Sequence, residues 1–75
     1  IVQAAEIFTV EDSTGTPLNV RGVRGKVICT VSNGEIVEKI PKDGAFTYLG
    51  SEWTTIRTRS RCLGRVFTQY LRRNY

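Results

Sequence analysis

The sequence predicts an all-β domain, a small, partly open barrel of five to six antiparallel strands, and three observations predict it. Short runs rich in β-branched residues recur at roughly ten-residue spacing. Turn-forming residues punctuate them, most clearly Asn33-Gly34, which separates Val27–Val31 from Ile36 and Val37. No stretch of ten residues carries a helical pattern, and there is no repeat or low-complexity segment.

Residues 26–39 organise the chain. Asn and Gly both tolerate positive φ, so Asn33-Gly34 between apolar runs signals a chain reversal. One parity carries Val27, Cys29, Val31, then Ile36 and Ile40; the other carries Ile28, Thr30 and Val37. Neither face is fully polar, which places the two runs in the middle of a curled sheet and not on an open edge.

The other elements follow in order. Residues 4–10 alternate Glu6, Phe8 and Val10 against Ile7 and Thr9, a first strand. Residues 12–17, DSTGTP, are a loop. Leu18–Arg21 is a short strand with Leu18 and Val20 on one face, and Gly22 and Gly25 bracket a second loop. Residues 41–51 are the longest irregular piece, although Phe46, Tyr48 and Leu49 are expected to fold back onto the body or a ligand. Residues 53–59 form a strand with Thr54, Ile56 and Thr58 on one side, and Trp53, Thr55, Arg57 and Arg59 on the other. A reversal near Ser60-Arg61 leads into residues 62–67, with Gly64 and Val66 inside and Arg65 and Phe67 outside. Residues 68–71 suit a single 3₁₀ turn.

Composition bounds the function. Seventy-five residues make one domain, near the lower size limit for folding on an apolar core alone. No run approaches the roughly 18 apolar residues that span a bilayer. A chain that opens Ile1-Val2-Gln3 and lacks methionine is expected to be a processed chain or an excised module. The net charge of +4 is unevenly spread. Residues 1–52 hold five Lys/Arg against seven Asp/Glu, whereas residues 53–75 hold six arginines and no acid. Such a basic end is either a solvated face or a patch for an anionic partner. With no histidine, the two cysteines cannot build a metal site of usual ligand count, and no cofactor is expected. Cys29 and Cys62 are a single disulfide or two buried thiols; in a small chain of this kind the disulfide is the expected use.

LNVR, then KVICTVSNGEIV, then a tryptophan opening a strand, then LGRVF followed by TQYL, together resemble the bacterial SH3-like domain family over residues 16–71. The resemblance implies a barrel of two orthogonal sheets with Leu18, Val20, Val31, Val37, Ile56, Val66 and Leu71 in its core. It implies that the diverging turn packs near the hairpin holding Cys62, so that a disulfide from Cys29 to Cys62 closes. Two segments depart from the family pattern. Gly22-Val23-Arg24 replaces a Ser-Gly-Pro type of turn, and Arg65 stands where an aromatic is frequent.

The acids Asp12, Asp43, Glu35, Glu38 and Glu52 form no pair in an apolar context, and no nucleophile or phosphate-loop motif is present, so the domain is expected to be non-catalytic. The resemblance implies a shallow cleft between Trp53 and Tyr70, completed by Tyr48, Asn19 and Arg21, with Arg65 close by. Its ligand would be a peptide-containing cell-envelope polymer such as peptidoglycan, or a protein partner, met by a monomeric module outside the bacterial cytoplasm, periplasmic or secreted. One alternative is a nucleic-acid-binding barrel using the arginine-rich end, where Arg57, Arg59 and Arg65 share a parity with Trp53 and Phe67. The other is a structural interaction domain.

Overall fold

A computed structural model describes residues 6–40 and 45–74. Eight strands, β1 (Ile7–Val10), β2 (Leu18–Arg21), β3 (Val27–Val31), β4 (Ile36–Lys39), β5 (Ala45–Tyr48), β6 (Ser51–Arg57), β7 (Leu63–Phe67) and β8 (Leu71–Asn74), join in one antiparallel sheet. A 3₁₀ turn over Thr68–Tyr70 links β7 to β8. The strand order is β3-β2-β7-β6-β4-β1-β8. The seven-residue β6 has β7 along one edge; on the other it pairs first with β5 and then with β4. Among the described residues no helix is long and apolar enough to cross a membrane.

The sheet is open, with β3 and β8 at its ends, yet it curls. Val31 of β3 and Val10 of β1 come from distant places in the strand order and share one cluster with Leu18, Val20, Val37, Ile56 and Val66. The alternation of the strands explains that cluster. Leu18 and Val20 point in while Asn19 is exposed, and Val66 points in while Arg65 and Phe67 stay half-buried. Leu71 packs against the cluster without being fully buried, and Val10 joins it. The two buried threonines on the inner parity of β6 and its turn have partners. The Thr54 hydroxyl pairs with that of Thr68 at 2.6 Å, and the Thr58 hydroxyl accepts the Cys62 N–H at 3.0 Å.

Three expectations change. The Asn33-Gly34 reversal forms, with Gly34 at φ +85°, but its flanking strands part instead of pairing. Gly34 N–H donates to the Val10 carbonyl (2.8 Å) and Val10 N–H to the Glu35 carbonyl (2.9 Å), so the turn is tied to β1. β3 therefore pairs with β2 and stands at an end of the sheet, not in its middle, while β4 lies between β6 and β1. The inner parity also changes across the turn, since Val37 is buried and Ile36 is 44% exposed. Second, residues 45–48 are a strand inside the stretch taken as irregular, while residues 41–44, with Asp43, lie outside the described residues. Third, the segment LRRN is a strand, which with AFTY raises the number among the described residues to eight. Its arginines reach the acids around β1, Arg72 to Glu11 at 3.2 Å and Arg73 to Glu6 at 3.0 Å. The expected start of β1 at Ala4 also lies outside the described residues.

The cysteines are joined. Cys29 on β3 and Cys62 before β7 form a disulfide with Cα atoms 6.8 Å apart. A tight turn aims Cys62: Arg61 N–H donates to the Thr58 carbonyl at 3.0 Å, with Arg61 at φ +71°.

Candidate functional site

Two loops and a paired-strand floor build a cleft beside the sheet. The first lip is the turn at residues 22–26, closed by Gly25 N–H to the Gly22 carbonyl (3.0 Å) and Gly22 N–H to the Lys26 carbonyl (2.8 Å). It holds Val23 and Arg24 out in solvent, Val23 being 86% exposed. Arg21 braces this lip, donating from Nη1 to the Gly25 carbonyl at 2.8 Å. The second lip is the β5–β6 hairpin tip. Tyr48 and Ser51 are register partners, and Leu49 and Gly50 between them sit at φ +52° and +81°. Both central residues at positive φ define the two-residue turn that matches strand twist, a place where Asn or Gly is usual. Here a leucine, 86% exposed, occupies it.

The floor is aromatic. Trp53 and Phe67 are register partners on β6 and β7, and their rings stack with centroids 4.2 Å apart and planes 29° apart. Tyr70 meets Phe67 edge-on at 6.1 Å. The Trp53 and Phe67 pair is a shared wall between two lobes. The larger, about 660 Å³, is lined by the two lips and by Arg21, Arg65, Trp53 and Phe67. The smaller, about 150 Å³, has Asn19, Arg21, Trp53, Phe67 and Tyr70 on its walls. A volume of several hundred cubic ångströms suits a bound side chain or short segment. The Trp53 indole N–H is buried and makes no hydrogen bond among the described residues. An unpaired buried donor costs about 1–3 kcal/mol, so its acceptor has to come from elsewhere or the cost is borne.

The six residues expected from the sequence thus gather around one wall, though not in one lobe. Arg21, Tyr48, Trp53 and Arg65 line the larger lobe, and Asn19, Arg21, Trp53 and Tyr70 the smaller. Sequence reasoning did not count Val23 among the site residues and missed the wall role of Phe67; Leu49, expected to fold back onto the body or a ligand, stands out in solvent at the hairpin tip. The two segments that depart from the family pattern, Gly22-Val23-Arg24 and Arg65, both line the larger lobe. The basic end does not form one face. Arg57 donates to Glu38 at 2.8 Å and, with Arg59, lines a separate groove on the side of β4. Arg57 keeps the parity of Trp53, but the pairing of β6 passes from β5 to β4 between them.

No family model, curated protein or solved structure matches the chain. The functional reading accordingly rests on the cleft itself.

The strained tip gives a direct test. The left-handed region costs an ordinary L-residue roughly 1–2 kcal/mol, and asparagine tolerates it. Leu49→Asn is expected to raise the melting temperature by roughly 4–8 °C, the shift that about 1 kcal/mol gives a domain of this size. It should do so while weakening any ligand that uses the apolar lip. An unchanged or lower melting temperature would show that Leu49 makes compensating contacts.

Proposed function

We propose that this domain is a non-catalytic, SH3-like binding module that holds an extended peptide-bearing ligand, from a cell-envelope polymer such as peptidoglycan or from a protein partner, in the cleft over Trp53 and Phe67. The observation that carries the reading is the aromatic floor with an indole N–H that has no acceptor among the described residues, set between two lips of exposed apolar residues. A peptide backbone supplies carbonyl acceptors at regular spacing, and its side chains supply apolar surface for the lips. The disulfide supports a site of action in an oxidising compartment, outside the bacterial cytoplasm.

Chemical-shift mapping with soluble muropeptides and short glycine-rich peptides tests this. The Trp53 indole resonance and the backbone amides of residues 22–26, 48–51 and 67 should move together. Trp53→Ala and Tyr70→Ala should each weaken binding by about 2 kcal/mol or more, as at a buried hot spot, and by more than they lower stability. Shifts confined to β1, β4 and β8 would remove the cleft from the site.

A further inference from the structure

We infer that the two lips of the cleft form a membrane-docking rim that sets Val23 and Leu49 into the interface of an anionic lipid bilayer; this goes beyond the peptide-binding reading and does not rest on it. Among the described residues the two most exposed large apolar side chains are Val23 and Leu49, each 86% exposed. They belong to separate turns, residues 22–26 and the β5–β6 tip, yet line one lobe, so both stand on the same side of the molecule. Tyr48, 60% exposed, adds a ring beside Leu49. Apolar residues scattered singly over a surface need no explanation, but an exposed set gathered around one cleft marks a contact surface.

Leu49 is held there against its own preference. At φ +52° it occupies the left-handed region, which disfavours a residue with a Cβ, and its exposure returns little packing in the free domain. Asparagine or glycine would make the same turn without that cost. Inserting the side chain among acyl chains supplies the apolar contact that the free domain does not give it. A tyrosine ring beside an inserted leucine sits at headgroup level, where one end meets lipid and the other water.

Charge favours a lipid surface, and an anionic one. Arg24 and Lys26 are exposed on the first lip beside Val23 and make no ion pair among the described residues. Neither turn, residues 22–26 or 48–51, contains an acid. Glu52 follows the second turn but has the strand parity opposite to Ser51 and Trp53, which line the lobe. Cations flanking apolar tips match a medium that is apolar within and anionic at its headgroups. A peptide on the aromatic floor reaches only the inner sides of the tips. Single-stranded nucleic acid binds through base stacking and phosphate contacts, and neither covers an aliphatic tip.

Sedimentation with vesicles of phosphatidylglycerol and phosphatidylcholine in equal parts, at roughly 0.15 M salt, tests this. The domain should bind them reversibly, and bind vesicles of phosphatidylcholine alone several-fold less. Leu49→Asn should lower partitioning by about tenfold, the effect of withdrawing one inserted leucine, while amide dispersion shows the fold intact. Val23→Ser should act in the same direction, and it decides the matter if Leu49→Asn disturbs the hairpin. Leu63→Ser, at a leucine that is 55% exposed and lines neither lobe, should leave partitioning unchanged. Failure of the unaltered domain to sediment with the anionic vesicles overturns the inference. Binding that both lip variants retain in full also overturns it, since that is adsorption by charge alone. Self-association without vesicles that Leu49→Asn abolishes, with no vesicle binding, overturns it in favour of a second copy. Lip resonances that move with muropeptides and not with vesicles overturn it and leave the peptide reading standing.

Discussion

Reduction of the disulfide between Cys29 and Cys62 is expected to lower the melting temperature by roughly 15–30 °C. The bridge spans a sequence separation of 33, and loop-closure entropy for such a loop gives roughly 3–4 kcal/mol. A chain of 75 residues has about 4–11 kcal/mol in total, so the bridge is a large share of it. Position adds to the effect. Among the described residues β3 stands at an end of the sheet and pairs with β2 alone, and the bridge joins it to the turn before β7. Melting curves with and without reductant measure the shift, and intact mass should rise by about 2 Da as two hydrogens are added. A shift of only a few degrees would mean that β3 is held by its ladder with β2 and by Val31 in the core.

The inward parity of β2 and β7 was legible because Leu18 and Val20, and Gly64 and Val66, alternate with more exposed positions; on β6 the alternation breaks, since Thr55, expected on the outer side, is buried together with Thr54 and Ile56. The partners of the strands were not. An Asn-Gly pair encodes a reversal, but whether the flanking strands then pair depends on groups elsewhere. Here the Val10 backbone takes both the Gly34 N–H and the Glu35 carbonyl, and that competition has no local sequence signature. β8 was invisible for a similar reason. Two consecutive arginines read as a solvated tail until Glu6 and Glu11, more than sixty residues earlier in the chain, are seen to lie across from them.

At the candidate site, Trp53 and Tyr70 stood out by their place in a family-like order of motifs, and the parity of Phe67 with Trp53 was also readable. The exposed lip positions of Val23 and Leu49 were not, because an apolar residue on a turn follows no period and its apolar character suggests folding back, as was expected of Leu49, not exposure. The segment Tyr48-Leu49-Gly50 did contain a clue, in a glycine closing an apolar pair between two runs with strand character. Recognising it requires β5, whose pairing with β6 the sequence did not suggest.

Gly64→Ala is expected to lower stability by about 1–3 kcal/mol or more and to disturb the cleft with it. Gly64 faces Ile56 across β6 and β7, where β2 crosses closely on the other side. A Cβ built there would stand 2.6 Å from Val20 Cγ1, 2.7 Å from the Arg21 carbonyl oxygen and 3.1 Å from Ile28 Cδ1. The Val20 side chain is fully buried in the core and cannot swing away without opening a void. The Arg21 carbonyl is backbone and moves only if β2 moves relative to β7. That displacement acts on the one register pair between these strands, Arg21 with Arg65, and both residues line the larger lobe. The substitution should therefore do two things together: lower the melting temperature, by roughly 4–8 °C for each kcal/mol, and shift the amide resonances of residues 21–25. Gly64→Val should be worse, since its extra methyls meet the same backbone oxygen. Thermal melts and amide spectra of the alanine variant provide the check. A variant that melts like the parent and keeps the resonances of Arg21 and Arg65 in place would show that β2 can yield at this crossing without cost.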